Sequence, residues 1–321
     1  MTVWLGHDEA WKAWRGALVS ERMHHAWILT GQQGLGKASF AVMAAAELVA
    51  EPGVIRPAPH MDPDIIRLAP LPATDDDLKK RDVGKPYQTK RSISVDQIRE
   101  MQRRLNTRPT LGARRAIIID AADQLEKNAV NALLKSLEEP PEGTFFLLVV
   151  HALGRILPTV RSRCLVVRFS SLSESNVARA LDDAEPHLDA DTRQAALAVA
   201  GGSPGAAIAF ASQELGKAQA VFAQLLERGD HDLALRGKLA SALGARPDRE
   251  RQLSAIEAAR MTVVRMLPHV DDSARLRLAD AHEGLVRLAA DAPTYNFDPG
   301  LLMLEIGALL AAAAPTREGT R

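Results

Sequence analysis

The hydrophobic pattern changes character near Ser170. Before that point the apolar residues come in unbroken runs: HAWILT (His25 to Thr30), AIIID (Ala116 to Asp120), TFFLLVV (Thr144 to Val150) and LVVRF (Leu165 to Phe169). A run without polar alternation fits a strand covered on both faces, as in a parallel sheet. The intervening segments carry helical spacing. Lys37 to Ala50 (KASFAVMAAAELVA) reads as one helix, and Ser94-Val-Asp-Gln97 is a capping box that opens another through about Leu105. Val130, Leu133, Leu134 and Leu137 fall at i, i+3, i+4 and i+7, one buried helical face that Pro140-Pro141 terminates. Strands alternating with helices predict a right-handed, parallel α/β sheet. Pro52 to Pro72 is proline-rich and reads as irregular, and Asp75 to Arg91 (DDDLKKRDVGKPYQTKR) as an exposed, mixed-charge loop.

Beyond Ser170 no strand pattern recurs. Ser173 to Leu181, Asp191 to Ala200 and Pro204 to Phe210 form a small helical group interrupted by Gly201-Gly202-Ser203, and amphipathic helices follow from Gly216. Leu278, Ala281, His282, Leu285, Leu288 and Ala289 share one core-facing stripe. The pattern divides the chain into an α/β domain (residues 1–169), a small helical domain (170–214) and a larger helical domain (215–321), without an internal repeat.

Charge narrows the function classes. The chain of 321 residues holds 40 basic and 40 acidic side chains, so no global field draws it to nucleic acid. Arg99, Arg103 and Arg104 on the capping-box helix are candidates for a local DNA contact, although arginines on an exposed helix face are ordinary. The single cysteine, Cys164, excludes an internal disulfide and a cysteine-based zinc site. No apolar run approaches the roughly 18 residues of a membrane span. The N-terminus lacks the apolar core of a signal peptide, and the expectation is a cytoplasmic protein.

The candidate chemistry lies in GQQGLGKAS (Gly31 to Ser39). Gly31, Gly36 and Lys37 satisfy G-x-x-x-x-G-K, with Gly34 as an additional glycine. Glycines let backbone N–H groups turn inward as an anion nest, and the following helix N-terminus adds positive charge. Lys37 would reach the β- and γ-phosphates. A chance glycine turn capping a helix is the bland alternative, and the strand before and helix after argue against it. Ala38 removes the hydroxyl that normally ligates magnesium. Ser39 is no substitute, because one residue along a helix rotates about 100°. Asp120 would hold magnesium through water, or simply end a buried strand. Ala121 stands where an ATPase of this kind places a water-polarising glutamate, and Asp123 reads as a helix cap. The two losses argue against hydrolysis here. ATP stays a possible cofactor, weakly held or not hydrolysed, and no protein metal ligands are assigned.

Arg161-Ser-Arg-Cys164 alone reads as a solvated turn followed by a packed thiol. In the company of a phosphate loop, its arginines suggest more. A guanidinium can stabilise charge on a phosphoryl group transferring in a neighbouring subunit.

HAWILTGQQGLGKAS, AIIIDAADQLEKNAVNALLKSLEEPPEGTFFLLVV and ILPTVRSRC, in that order, resemble the AAA+ clamp-loader subunits of bacterial DNA polymerase III. The most specific pieces are NALLKSLEEPPEGTFF (Asn131 to Phe146) and Ser162-Arg163-Cys164, and the resemblance runs from about Val3 to Phe169. The helical remainder agrees in architecture rather than in motif. The resemblance implies an AAA+ P-loop parallel-sheet domain over 1–169, a small helical lid over 170–214 and a C-terminal helical collar over 215–321.

Within that family the motor subunits (gamma/tau) hydrolyse ATP, and a stator branch usually does not. This chain departs from the motor pattern at Ala38 and Ala121. His151 stands near a sensor position where a small hydroxyl or amide is usual, and Gly205 takes the place of the second-sensor arginine. Glu51 to His60 (EPGVIRPAPH) replaces the family's four-cysteine module, so no zinc is expected and that loop must be held another way. The chain ends at Arg321 without the extension of a tau-type motor. The resemblance therefore implies a stator in a hetero-oligomeric clamp loader, part of a DNA-directed DNA polymerase holoenzyme in DNA replication. Its partners would be gamma/tau-like motor subunits and a delta subunit, with the sliding clamp and primer-template DNA reached through the complex. Arg163 would act as an arginine finger in trans. Two other readings stay open: an ATP-hydrolysing motor subunit, and a sensor that binds ATP without hydrolysis.

Overall fold

The computed structural model of the protein describes residues 5–20, 23–85, 87–244, 247–292 and 297–315. Val3, where the resemblance begins, and Arg321 lie outside the described residues. The chain forms two compact units, one running to Ser171 and the other from Leu172 onward. No helix among the described residues is long and apolar enough to cross a membrane.

The first unit contains, in chain order, α1 (Asp8–Leu18), β1 (Ala26–Thr30), α2 (Lys37–Val49), β2 (Ile65–Leu68), α3 (Asp75–Asp82), α4 (Val95–Leu105), β3 (Arg115–Asp120), α5 (Lys127–Glu138), β4 (Thr144–Val150), α6 (Pro158–Arg161) and β5 (Leu165–Arg168). The five strands pair in parallel in the order β2-β3-β4-β1-β5. Alternate residues of each apolar run serve opposite faces. Ala116, Ile118, Leu147 and Val149 pack with Phe40, Ala44 and Leu48 of α2. Ile117, Ile119, Phe146 and Leu148 pack with Ile98 and Met101 of α4 and Leu133 and Leu137 of α5. Both halves of the capping box form at Ser94 and Gln97.

Three elements differ from the expectation. The Pro52–Pro72 segment contains β2, an edge strand of four residues in which Ile66 alone is buried. The 75–91 stretch opens with α3 rather than a loop. Thr74 accepts a hydrogen bond from the Asp77 N–H (3.2 Å), acids fill the first turn and Lys79, Lys80 and Arg81 the last. That order of charge complements the helix dipole and stabilises a helix lacking an apolar face. Finally, α1 buries Trp11 and Trp14, the latter edge-on to Trp27 at 5.1 Å.

The second unit is all-helical: α7 (Glu174–Ala184), α8 (Ala190–Val199), α9 (Pro204–Ser212), α10 (Gly216–Arg228), α11 (Ala234–Leu243), α12 (Arg249–Met266), α13 (Asp272–Asp291) and α14 (Pro299–Ala312). One hydrophobic cluster joins Val177 and Leu181 of α7 to Phe222, Ile256, Leu285 and Ile306. Leu278, Ala281 and Leu285 of the expected stripe are buried, while His282 Nε2 accepts from Arg260 Nη1 at 3.3 Å.

The segment beginning at Glu51 closes through ion pairs. Arg56 Nη1 donates to both Asp62 oxygens (3.1 Å each) and to Asp64 Oδ2 at 3.2 Å. The Asp62 and Asp64 side chains are 2% and 0% exposed, and Asp64 also accepts from the Thr110 and Leu111 N–H groups. Removing one partner of such a buried set strands the opposite charges at a cost of about 3–5 kcal/mol. Arg56→Ala is therefore expected to unfold at distinctly lower temperature in a thermal melt, whereas Arg15→Ala, at an exposed pair with Glu47, should leave the melt nearly unchanged.

Candidate functional site

Because the strands are parallel, β1, β3, β4 and β5 deliver their C-terminal ends to one edge of the sheet. Thr30 leads there into the glycine loop. Gly34 and Gly36 both have φ 81°, left-handed conformations that glycine adopts without strain. A Cβ at Gly31 would collide with the Phe169 carbonyl, so the loop requires glycine where it crosses the end of β5. His7 supports the loop from the other side: its Nε2–H donates to the Leu35 carbonyl at 2.9 Å, and its ring packs on Phe169 at 4.6 Å.

Lys37, the first residue of α2, is 2% exposed. Its Nζ donates to the carbonyls of Gly31 and Gln32, each at 2.6 Å. Burial pushes the ammonium down to about 8, against the upward pull of Asp123 and Asp120. Ala38 is half-buried and Ser39 exposed, as their helical phase requires. The loop and Lys37 thus meet at the head of α2, near enough to Asp120 for its charge to act on the ammonium.

The remaining groups are committed to one another. Asp120 Oδ2 accepts from Arg67 Nη2 at 2.7 Å, an ion pair invisible in the sequence. Asp123 does not cap the next helix. Its carboxylate accepts from the backbone N–H of His151 (3.2 and 3.3 Å) and of Ala152 (3.1 Å), fastening the end of β4. Ala121 is buried beside Asp120 and offers no acceptor for a water proton. Burial first, and Lys37 second, hold the His151 imidazole below its ordinary pKa; its Nδ1 is buried without a hydrogen-bond partner among the described residues.

This donor set does not fit magnesium. A divalent cation wants several oxygen ligands, including the loop hydroxyl and an available carboxylate. Position 38 has no side-chain oxygen, and the Asp120 carboxylate is paired with the Arg67 guanidinium, whose positive charge disfavours a cation beside it. Among the described residues, no group of three or more His, Cys, Asp or Glu side chains is placed to hold a metal.

Arg163 follows α6, and its partners lie outside the phosphate loop. Nη1 donates to the Thr159 carbonyl at 2.7 Å and Nη2 pairs with Glu138 at 2.7 Å, at the C-terminal end of α5. The Arg163 side chain is 35% exposed. Cys164 packs among the residues beneath α5, and burial pushes its thiol up to about 12, as a packed and unreactive thiol requires. Sequence reasoning missed Arg67, His7 and Glu138. Arg67 sits in a strand too short to register as a pattern, and Glu138 is one acid in a charged helix end; neither carries a sequence signal of its role.

Residues 6–173, more than half of the chain, match the family described as DNA polymerase III, delta subunit. The chain is 35% identical over 202 residues to the DNA polymerase III subunit delta' of Pseudomonas aeruginosa, covering 60% of this chain and 58% of that protein. It is 36% identical over 141 residues to the delta' subunit of Escherichia coli, covering 44% and 42%. A gamma subunit from Buchnera aphidicola is 32% identical over 156 residues, 49% of this chain and 41% of that one. The chain thus spans about half the length of the curated relatives it matches. Among solved structures, a DNA polymerase III gamma subunit-related protein of Thermotoga maritima superposes with a TM-score of 0.54 at 16% identity, over 95% of this chain and 99% of that one. That likeness agrees with the expected fold class, a parallel-sheet α/β domain followed by helices.

The Lys37 geometry has a pH signature. Its folded value near 8 lies below the ordinary 10.5, so between these values the unfolded chain binds the extra proton and stability rises with pH. Below pH 8 the buried charge weighs on the fold in full. Lys37→Met should therefore melt higher than wild type at pH 7, and the gap should narrow as pH rises to 9.5, in paired thermal melts.

Proposed function

The chain belongs to the DNA polymerase III, delta subunit family, and from that premise we propose a delta-prime-like role in the clamp loader: a stator that hydrolyses little or no ATP itself and lends Arg163 to the ATP site of an adjacent gamma/tau-like motor subunit. The observation that carries this reading is the contrast between the two sites. At home, Ala38 and Ala121 leave no metal hydroxyl and no water-activating carboxylate, and the charges present are tied to one another. Arg163, by contrast, is accessible, and its guanidinium retains donors beyond those used on Thr159 and Glu138. Its ion pair is half in water, so it is worth about 0–1 kcal/mol and yields to a triphosphate at little cost.

In this reading residues 170–214 form the lid and 215–321 the collar that packs against the other subunits, the motors and delta. Leu276 and Val286 of α13 and Leu301 and Leu304 of α14 stand exposed, which supports a surface completed by partners. The sliding clamp and primer-template DNA are met through the assembled complex. The protein acts in the cytoplasm, where replication takes place.

The test is reconstitution with a cognate motor subunit and delta. Arg163→Ala is expected to assemble normally and to lower ATP turnover at the adjacent site by a factor on the order of 10³ at that step. Unchanged turnover in an assembled complex removes Arg163 from the mechanism. Brisk ATP turnover by the isolated chain, abolished by Lys37→Ala, would establish the motor reading instead.

A further inference from the structure

The Arg67–Asp120 pair lies where the fold family places its metal. Ala116 and Ile118 of β3 pack on the α2 side of the sheet, so Asp120, two residues further, faces that side as well. Arg67 is bonded to it from the neighbouring strand, where it lies opposite Ile118. On the same side α2 begins with Lys37, close enough to Asp120 and Asp123 for their charges to act on its ammonium. Beside these groups, the buried Nδ1 of His151 has no partner among the described residues.

We infer that Arg67 replaces the divalent cation of this pocket, so that the glycine loop takes a nucleoside triphosphate free of metal, with the phosphate chain held between Lys37 and the guanidinium of Arg67. The chemistry of each group fits. A guanidinium binds phosphate oxygens through two parallel N–H donors, which a metal does through vacant coordination sites. Arg67 is 53% exposed, so its pair with Asp120 holds it by no more than about fivefold in equilibrium and releases it readily. The orphaned Nδ1 of His151 gains a partner in a phosphate oxygen. The charge balance also sets the strength. Asp120 and Arg67 sum to zero where aspartate and a divalent cation would sum to one positive charge, so binding is weaker than in a metal-dependent pocket.

The inference does not depend on Arg163, and its test leaves the finger intact. ATP binding to the full chain is measured by titration calorimetry at low ionic strength, in EDTA and in excess magnesium. Wild type is expected to bind in EDTA and more weakly in excess magnesium, which sequesters the free nucleotide, and Lys37→Met to abolish binding. Arg67→Gln should weaken binding in EDTA about tenfold or more, the loss of a charge-assisted hydrogen bond. Asp120→Asn should tighten it, by removing a negative charge and freeing the guanidinium; a misfolded variant cannot bind more tightly. A metal-using pocket gives the reverse pattern: magnesium is required, Asp120→Asn weakens binding, and Arg67→Gln strengthens it. That pattern, or no binding by wild type in EDTA, overturns the inference.

Discussion

Parallel pairing is the constraint from which the rest follows. A parallel sheet points every strand the same way, so the C-terminal ends meet along one edge, where α/β folds place their sites. The glycine loop leaves β1 there, Asp120 and Asp123 leave β3, His151 leaves β4 and Phe169 leaves β5. None of these residues has a local reason to be near another. The register supplies it: Ile28 lies opposite Leu148 and Val166, and every other contact at the edge inherits that alignment.

What distinguishes this edge is how its polar groups are spent. Lys37 is bonded to two carbonyls of its own loop, Arg67 to Asp120, and Asp123 to the amides that end β4. Catalysis of phosphoryl transfer needs such groups aimed at developing charge, with a metal and a positioned water among them. Here each is paired with a neighbouring group of the same edge. The shape still matters, because the same elements present the second arginine. α5 starts just after the Asp123 turn and ends at Glu138, which meets Arg163 beyond α6. In the proposed role, this pocket serves as the frame on which Arg163 is displayed.

The Arg56 cluster applies the same logic to stability. A proline-rich segment with one short strand has too little apolar surface to order itself. The carboxylates of Asp62 and Asp64 with the Arg56 guanidinium, and the Glu51 carboxylate accepting from the Ala113 N–H, tie it with the amides of Thr110 and Leu111 to the start of β3. Buried charges tolerate no missing partner, so this arrangement fixes one conformation of the segment.

Much of this was legible in the sequence. Unbroken apolar runs gave β1, β3, β4 and β5 nearly to the residue, because burial on both faces leaves a mark in composition. The glycines around Lys37, the alanines at 38 and 121 and the capping box at Ser94 are equally local, each a matter of one backbone conformation or one missing oxygen. α1, β2 and α3 were not legible. Trp14 is buried only because Trp27 receives it, β2 is four residues on an edge, and α3 rests on capping and dipole rather than an apolar face. The pairings were decided by tertiary structure alone. Arg67 and Asp120 are 53 positions apart, and Arg163 meets Glu138 across two turns of topology. An ion pair costs and gains according to where the chain brings its charges in space, and no local pattern of residues carries that information.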